Sequence, residues 1–179
     1  MGLKCKLVVR FRGLLIMPVL FAITSAFPGC KVSYSFSGAS ISPQVKTISI
    51  QYFQNRASLV QPGLSQNLTD ALIDKCKAQT KLSFINGVGD VNFEGEITDY
   101  NTRPLTVAAD QLAAMNRFTI TIKVKFTNAI DTELSYEKNF SRYEDYDSGI
   151  DLAQVEKSLV DKIVTLLVED IFNDAFVNW

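Results

Sequence analysis

Histidine is absent from all 179 residues. That removes every Ser-His or Cys-His nucleophile pair and every His-ligated metal site from consideration. Cysteine is scarce, with three residues: Cys5, Cys30 and Cys76. If Cys5 leaves with an N-terminal segment and Cys30 is modified, Cys76 stands alone and no intrachain disulfide can form. The first 29 residues contain no acid, and their only charged side chains are Lys4, Lys6, Arg10 and Arg12. Beyond them the chain has 14 Lys and Arg against 19 Asp and Glu, a net charge of −5. A global basic footprint for nucleic acid is therefore missing. No later apolar run approaches the ~20 residues a spanning helix needs, and there are no repeats or low-complexity tracts.

The one long apolar run that is present is Gly13–Cys30, GLLIMPVLFAITSAFPGC. Basic residues precede it, its apolar stretch is too short for an anchor, and Pro18 sits inside it. This is the layout of an export signal. It ends in Phe27-Pro28-Gly29-Cys30, where a lipoprotein signal has Leu-small-small-Cys. We therefore expect residues 1–29 to be a lipoprotein signal peptide and Cys30 to carry a diacylglycerol through its sulfur. The alternative is cleavage after Thr24-Ser25-Ala26, leaving Cys30 a free thiol.

Residues 30–46 are Ser-rich and read as a tether with a short strand around Tyr34–Ser37. Residues 47–179 read as one domain. Lys46–Phe53 alternates, with Ile48, Ile50 and Tyr52 on one side. Pro62 suits the first turn of a helix, whose stripe is Leu64, Leu68, Ala71, Leu72 and Cys76. Cys76 lies in that stripe, so it reads as a buried small hydrophobe. Leu82–Ile85 is a short strand. Val91–Arg103 puts Val91, Phe93 and Ile97 on one face and Asn92, Glu94, Glu96 and Thr98 on the other. Pro104–Asn116 is ambiguous, either extended or with a helical turn at Asp110–Met115. Phe118–Phe126 is the clearest strand, followed by a turn at Asn128–Asp131 and a partner strand at Glu133–Tyr143.

Three such strands in sequence predict an antiparallel meander. Asp151 caps a last helix of about 24 residues, or about 36 Å, with a stripe of Val155, Leu159, Ile163, Leu166, Leu167 and Ile171. Its acids Asp151, Glu156, Asp161, Glu169, Asp170 and Asp174 read as an acidic outer face. The expected fold is α+β: a mixed, mainly antiparallel sheet of about four to five strands with two helices on one face. Two helices cover only one side of such a sheet, so its other side is left for solvent or a partner.

Two constellations carry possible chemistry. Arg117, Thr119, Thr121, Lys123 and Lys125 share the strand face opposite the apolar row, and Arg103 adds a further cation nearby. Such a row can hold phosphate or carboxylate, or it is an ordinary solvated face with lysines guarding a strand. Glu94 and Glu96 sit two apart on one strand face, as a carboxylate-dependent hydrolase would place them; a solvated strand face needs the same pair. No cofactor, metal site or other catalytic group is expected.

Several segments are familiar in this order: Tyr34-Ser35-Phe36-Ser37-Gly38, Thr47-Ile48-Ser49-Ile50-Gln51-Tyr52-Phe53 with Asn55-Arg56-Ala57, Phe93-Glu94-Gly95-Glu96-Ile97, Asn116-Arg117-Phe118-Thr119-Ile120, and Val168-Glu169-Asp170-Ile171-Phe172-Asn173 through Asn178-Trp179. Together they resemble the LptE family of outer-membrane lipopolysaccharide assembly, over essentially the whole chain after Cys30. The resemblance implies a non-enzymatic lipoprotein held in the outer membrane, facing the periplasm, that plugs an LptD-type β-barrel. It implies that the plug assists barrel assembly and binds lipopolysaccharide. It transfers no ligand-contact residues, so the cation row stands on its own chemistry. A barrel-assembly accessory lipoprotein of another kind remains the alternative partner class.

Overall fold

Three long strands set the frame. In the computed structural model, residues 41–59, 61–105 and 114–177 are described. Cys30, the expected signal segment and the strand expected at Tyr34–Ser37 lie outside them, as do most of the ambiguous stretch after Pro104 and the last two residues. The elements run β1 (Thr47–Ile50), β2 (Gln54–Asn55), α1 (Leu64–Gln79), β3 (Ser83–Phe84), β4 (Val91–Pro104), β5 (Met115–Asn128), a 3-10 turn (Thr132–Leu134), β6 (Tyr136–Asp147) and α2 (Leu152–Phe176). The sheet order is β3-β1-β4-β5-β6, with β2 pairing β4 beyond the end of β1. β4, β5 and β6 form the expected antiparallel meander. β1 lies parallel to both β3 and β4. No helix among the described residues is long and apolar enough to cross a membrane.

Both helices lie against one side of the sheet, as the apolar stripes require. Phe118, Ile120, Ile122, Val124 and Phe126 of β5 form the floor, none more than 1% exposed. Over it α1 buries Leu64, Leu68, Leu72 and Cys76, and α2 buries ten residues from Leu159 to Phe176. Burial pushes the Cys76 thiol up to about 12, so it is an inert part of the core. Asp151 caps α2 by accepting the N–H of Ala153 at 3.1 Å.

Three expectations are corrected. Tyr52 does not share the face of Ile48 and Ile50: the strand ends at Ile50, Tyr52 is 54% exposed and Phe53 takes the core place. The cause is tertiary. The Phe53 N–H donates to Thr69 Oγ1 of α1 at 3.2 Å, and its ring lies against Gly95, where any Cβ would come within 2.5 Å of it. Leu166 is 36% exposed rather than part of the core stripe, because the buried sector of α2 is centred on Ile163, Leu167 and Ile171 and extends to Val160, Val164 and Val168.

The acids of α2 do not form an unpaired outer face. Asp170 holds Arg142 of β6 through two bonds of 2.5 and 2.6 Å, and Asp174 pairs with Lys138 of the same strand. Glu169 lies 3.5 Å from Lys75 of α1, and Asp161 bonds Lys157 and Asn67. Glu156 accepts the hydroxyl of Tyr100, whose ionisation is pushed well up by burial and by that bond.

Candidate functional site: the uncovered sheet face

The side of the sheet that neither described helix covers is built from alternate residues of β4, β5 and β6. The pairing puts Glu94, Lys125 and Glu137 in one row across the three strands, and Glu96, Lys123 and Asn139 in the next. Then follow Asp99, Thr121 and Ser141, then Asn101, Thr119 and Tyr143, and last Arg103, Arg117 and Asp145. All six residues expected from the sequence to bind a ligand are therefore on this face.

Arg103 reaches it only because of a β-bulge. The register between β4 and β5 shifts between Ile97 and Asp99, leaving Thr98 as the extra residue, with its hydroxyl donating to the Thr121 carbonyl at 3.2 Å. An extra residue reverses which side each later residue faces. Tyr100 consequently enters the core, 4% exposed, and Arg103 turns outward opposite Arg117. A regular strand would have put Arg103 under the helices.

The cations here are held, not loose. Arg117 grips Asp145 in a fork, Nε to Oδ1 at 2.8 Å and Nη2 to Oδ2 at 2.9 Å, and its guanidinium lies 3.6 Å from the centre of the Tyr143 ring. The bond to Arg117 holds the Asp145 carboxyl below the usual range. Lys123 pairs with Glu137, whose carboxyl is lowered by that bond. Lys125 stands 3.4 Å from Glu94, and Arg56 stands 3.9 Å from Glu96. Thr121 and Ser141 share a hydroxyl bond of 2.9 Å. Among the described residues Arg103 alone of the four row cations makes no ion pair.

The local excess of positive charge along residues 101–130 is thus offset by acids from β4 and β6. Glu137, Tyr143 and Asp145 are the members that sequence reasoning missed. They come onto the face through the β5–β6 register, a pairing between strands that neither strand shows alone. As for the carboxylate pair, Glu94 and Glu96 share the face as expected. Each stands half-exposed beside a cation, Glu94 beside Lys125 and Glu96 beside Arg56.

A sheet with helices on one side and a lattice of ion pairs and hydroxyls on the other defines a class: an α+β domain with one polar sheet face that the described helices leave open. The sequence pattern of the LptE family, described as Lipopolysaccharide-assembly, matches residues 45–175. The chain belongs to the LptE family of lipopolysaccharide assembly. A search among curated proteins found no match. Among solved structures, a hypothetical protein from Chlamydia trachomatis is similar at 8% identity and TM-score 0.50, over 75% of this chain and 99% of that one. An uncharacterized lipoprotein B from Nitrosomonas europaea is similar at 15% identity and TM-score 0.49, over 80% and 87%. A minor lipoprotein from Acinetobacter baumannii is similar at 13% identity and TM-score 0.48, over 73% and 94%. At such identities a likeness bears on the fold alone.

Proposed function

We propose that this chain is a non-enzymatic, lipid-anchored component of the outer membrane that seats its open sheet face against the inner wall of an LptD-type β-barrel and assists the passage of lipopolysaccharide. The observation that carries this reading is the uncovered face itself. Three strands of 12 to 14 residues present hydroxyls, amides and ion pairs on one surface. The lumen of an outer-membrane barrel is likewise polar, and the paired Arg117, Lys123 and Lys125 can meet it without being stranded as lone buried charges. Membership of the LptE family supports the lipopolysaccharide side of the proposal. The lipid anchor rests on the N-terminal run and Gly29-Cys30; Cys30→Ala should leave the protein unprocessed or released from the membrane.

Site-specific photo-cross-linking tests the seating. A photoreactive residue at Thr119 or Asn139 should yield an adduct with a large barrel protein in intact cells, and one at Leu166 on the helix side a weaker one. The reading fails if the open-face positions give no barrel-sized adduct. For ligand binding, reversing Lys123 and Lys125 to Glu would crowd them with Glu94, Glu96 and Glu137. Lys123→Gln with Lys125→Gln is the cleaner test. It should leave folding nearly unchanged, since exposed pairs contribute about 0–1 kcal/mol, and weaken lipopolysaccharide binding.

A further inference from the structure

Where the chain steps out of the sheet between β1 and β2, it leaves a hollow of about 430 Å³ at the edge of the open face. Gln51, Tyr52 and Gln54 line one side of it and Glu94 and Glu96 the other. A second hollow of about 230 Å³ continues across β4 to Lys123, Lys125 and Glu137, and the two share Glu94, Gly95 and Glu96. They form one shallow trough across the strands. Its rim on the β1 side is backed by a packed loop. The connection from β3 to β4 passes over β1, where Asn92 bonds both the N–H and the carbonyl of Gly89 at 2.8 and 2.9 Å. A Cβ on Gly89 would lie 3.2 Å from the Ile48 backbone, so the loop lies directly on the strand. Gln51 Nε2 donates to Ser49 Oγ at 3.3 Å, which sets the side chain along that rim.

The charges narrow the ligand. Glu94, Glu96 and Glu137 are matched by Lys125, Arg56 and Lys123, so the trough and its edge carry no net charge. A phosphate would meet a carboxylate beside every cation, and an amine would meet a cation beside every carboxylate. A group that both donates and accepts meets a partner at each position. Gln51 and Gln54 each offer a donor and an acceptor from one planar amide, the carboxylates accept, and the lysines donate. Tyr52, the exposed aromatic of the trough, offers a flat apolar face with a polar tip.

We propose that this trough, from Tyr52 to Glu137, binds a saccharide through its uncharged hydroxyls, one ring edge on the Gln51, Gln54 and Glu94 side chains and one C–H face against Tyr52. The proposal rests on the lipopolysaccharide reading for the source of the sugar. It assigns the trough to the polysaccharide part and not to the phosphates.

Calorimetric titration of the purified full chain with two probes tests it: a delipidated, dephosphorylated core oligosaccharide, and chitotetraose as a cell-wall glycan. The core oligosaccharide should bind, and Tyr52→Ala with Gln54→Ala should weaken it by about tenfold or more. Both positions are exposed, so the melting temperature should hold; Tyr52→Ala alone is the second variant if it does not. Inorganic phosphate should not compete. Failure of both saccharides to bind at millimolar concentration, equal binding by the variants, or displacement by phosphate overturns the proposal. Intact lipopolysaccharide binding where the oligosaccharide does not would sink the trough and leave the family reading standing. Chitotetraose binding alone would support the trough and remove lipopolysaccharide as its source.

Discussion

On its helix side, β5 leaves Phe118, Ile120, Ile122, Val124 and Phe126 at most 1% exposed; on its other side the same strand holds Thr119, Thr121 and Lys123 partly open and Lys125 exposed. The covered side is stabilised by area, at about 25 cal/mol per Å² of apolar surface removed from water. The open side is organised by pairs that each contribute little to stability but fix where every charge points. One strand therefore separates folding from recognition residue by residue. Substitutions should separate in the same way.

The largest effects should come from the covered side. Leu72 and Ile163 are fully buried, and truncating either to Ala should cost about 2–5 kcal/mol, read as a lowered denaturant midpoint. Near-zero cost at both would break the comparison. A smaller loss should follow Gly95→Ala, on the core side of β4 against Phe53. The added Cβ would come 2.5 Å from the Lys123 carbonyl and 2.5 Å from the Phe53 ring. Overpacking of that kind costs about 1–3 kcal/mol, and Phe53→Leu in the same chain should return part of it.

Acid should give the smallest and most graded effect. The Asp90 carboxyl is lowered by the backbone N–H of Lys46 at 2.8 Å, then by the N–H of Thr47 at 2.9 Å and the Thr47 hydroxyl. Glu137 and Asp145 are lowered by their cations. A carboxyl lowered on folding adds stability above its unfolded value, near pH 4, and loses it as pH falls through the folded value. Stability should therefore decline as pH falls below about 4. Thermal melts of Asp90→Asn should show a shallower decline than those of the wild type; an identical acid limb would mean the bonds to Lys46 and Thr47 do not form in solution.

Local pattern made much of this legible. The alternation of Phe118 to Phe126 can only be a strand with one apolar side, and the stripe from Leu64 to Cys76 can only be a helix with one. Those periodicities are set by backbone geometry and need no knowledge of neighbours. The LptE resemblance and the shared face of Arg117, Thr119, Thr121, Lys123 and Lys125 were also readable from order and spacing. Tyr52 and Phe53 were misplaced because their roles depend on Thr69 in α1 and on the missing side chain of Gly95, both distant in sequence.

What the sequence by itself determined, then, is which residues must be buried, which strand face must stay polar, and the family that this arrangement belongs to. Only the tertiary structure decided what the polar face is. The bulge at Thr98 brought Arg103 onto it, and the β5–β6 register set Glu137 opposite Lys125, one row from the Lys123 it pairs with, and Asp145 opposite Arg117. A strand's own residues specify its two sides; which charge stands beside which is set by pairing between strands, where a shift of one residue moves every side chain to the opposite face.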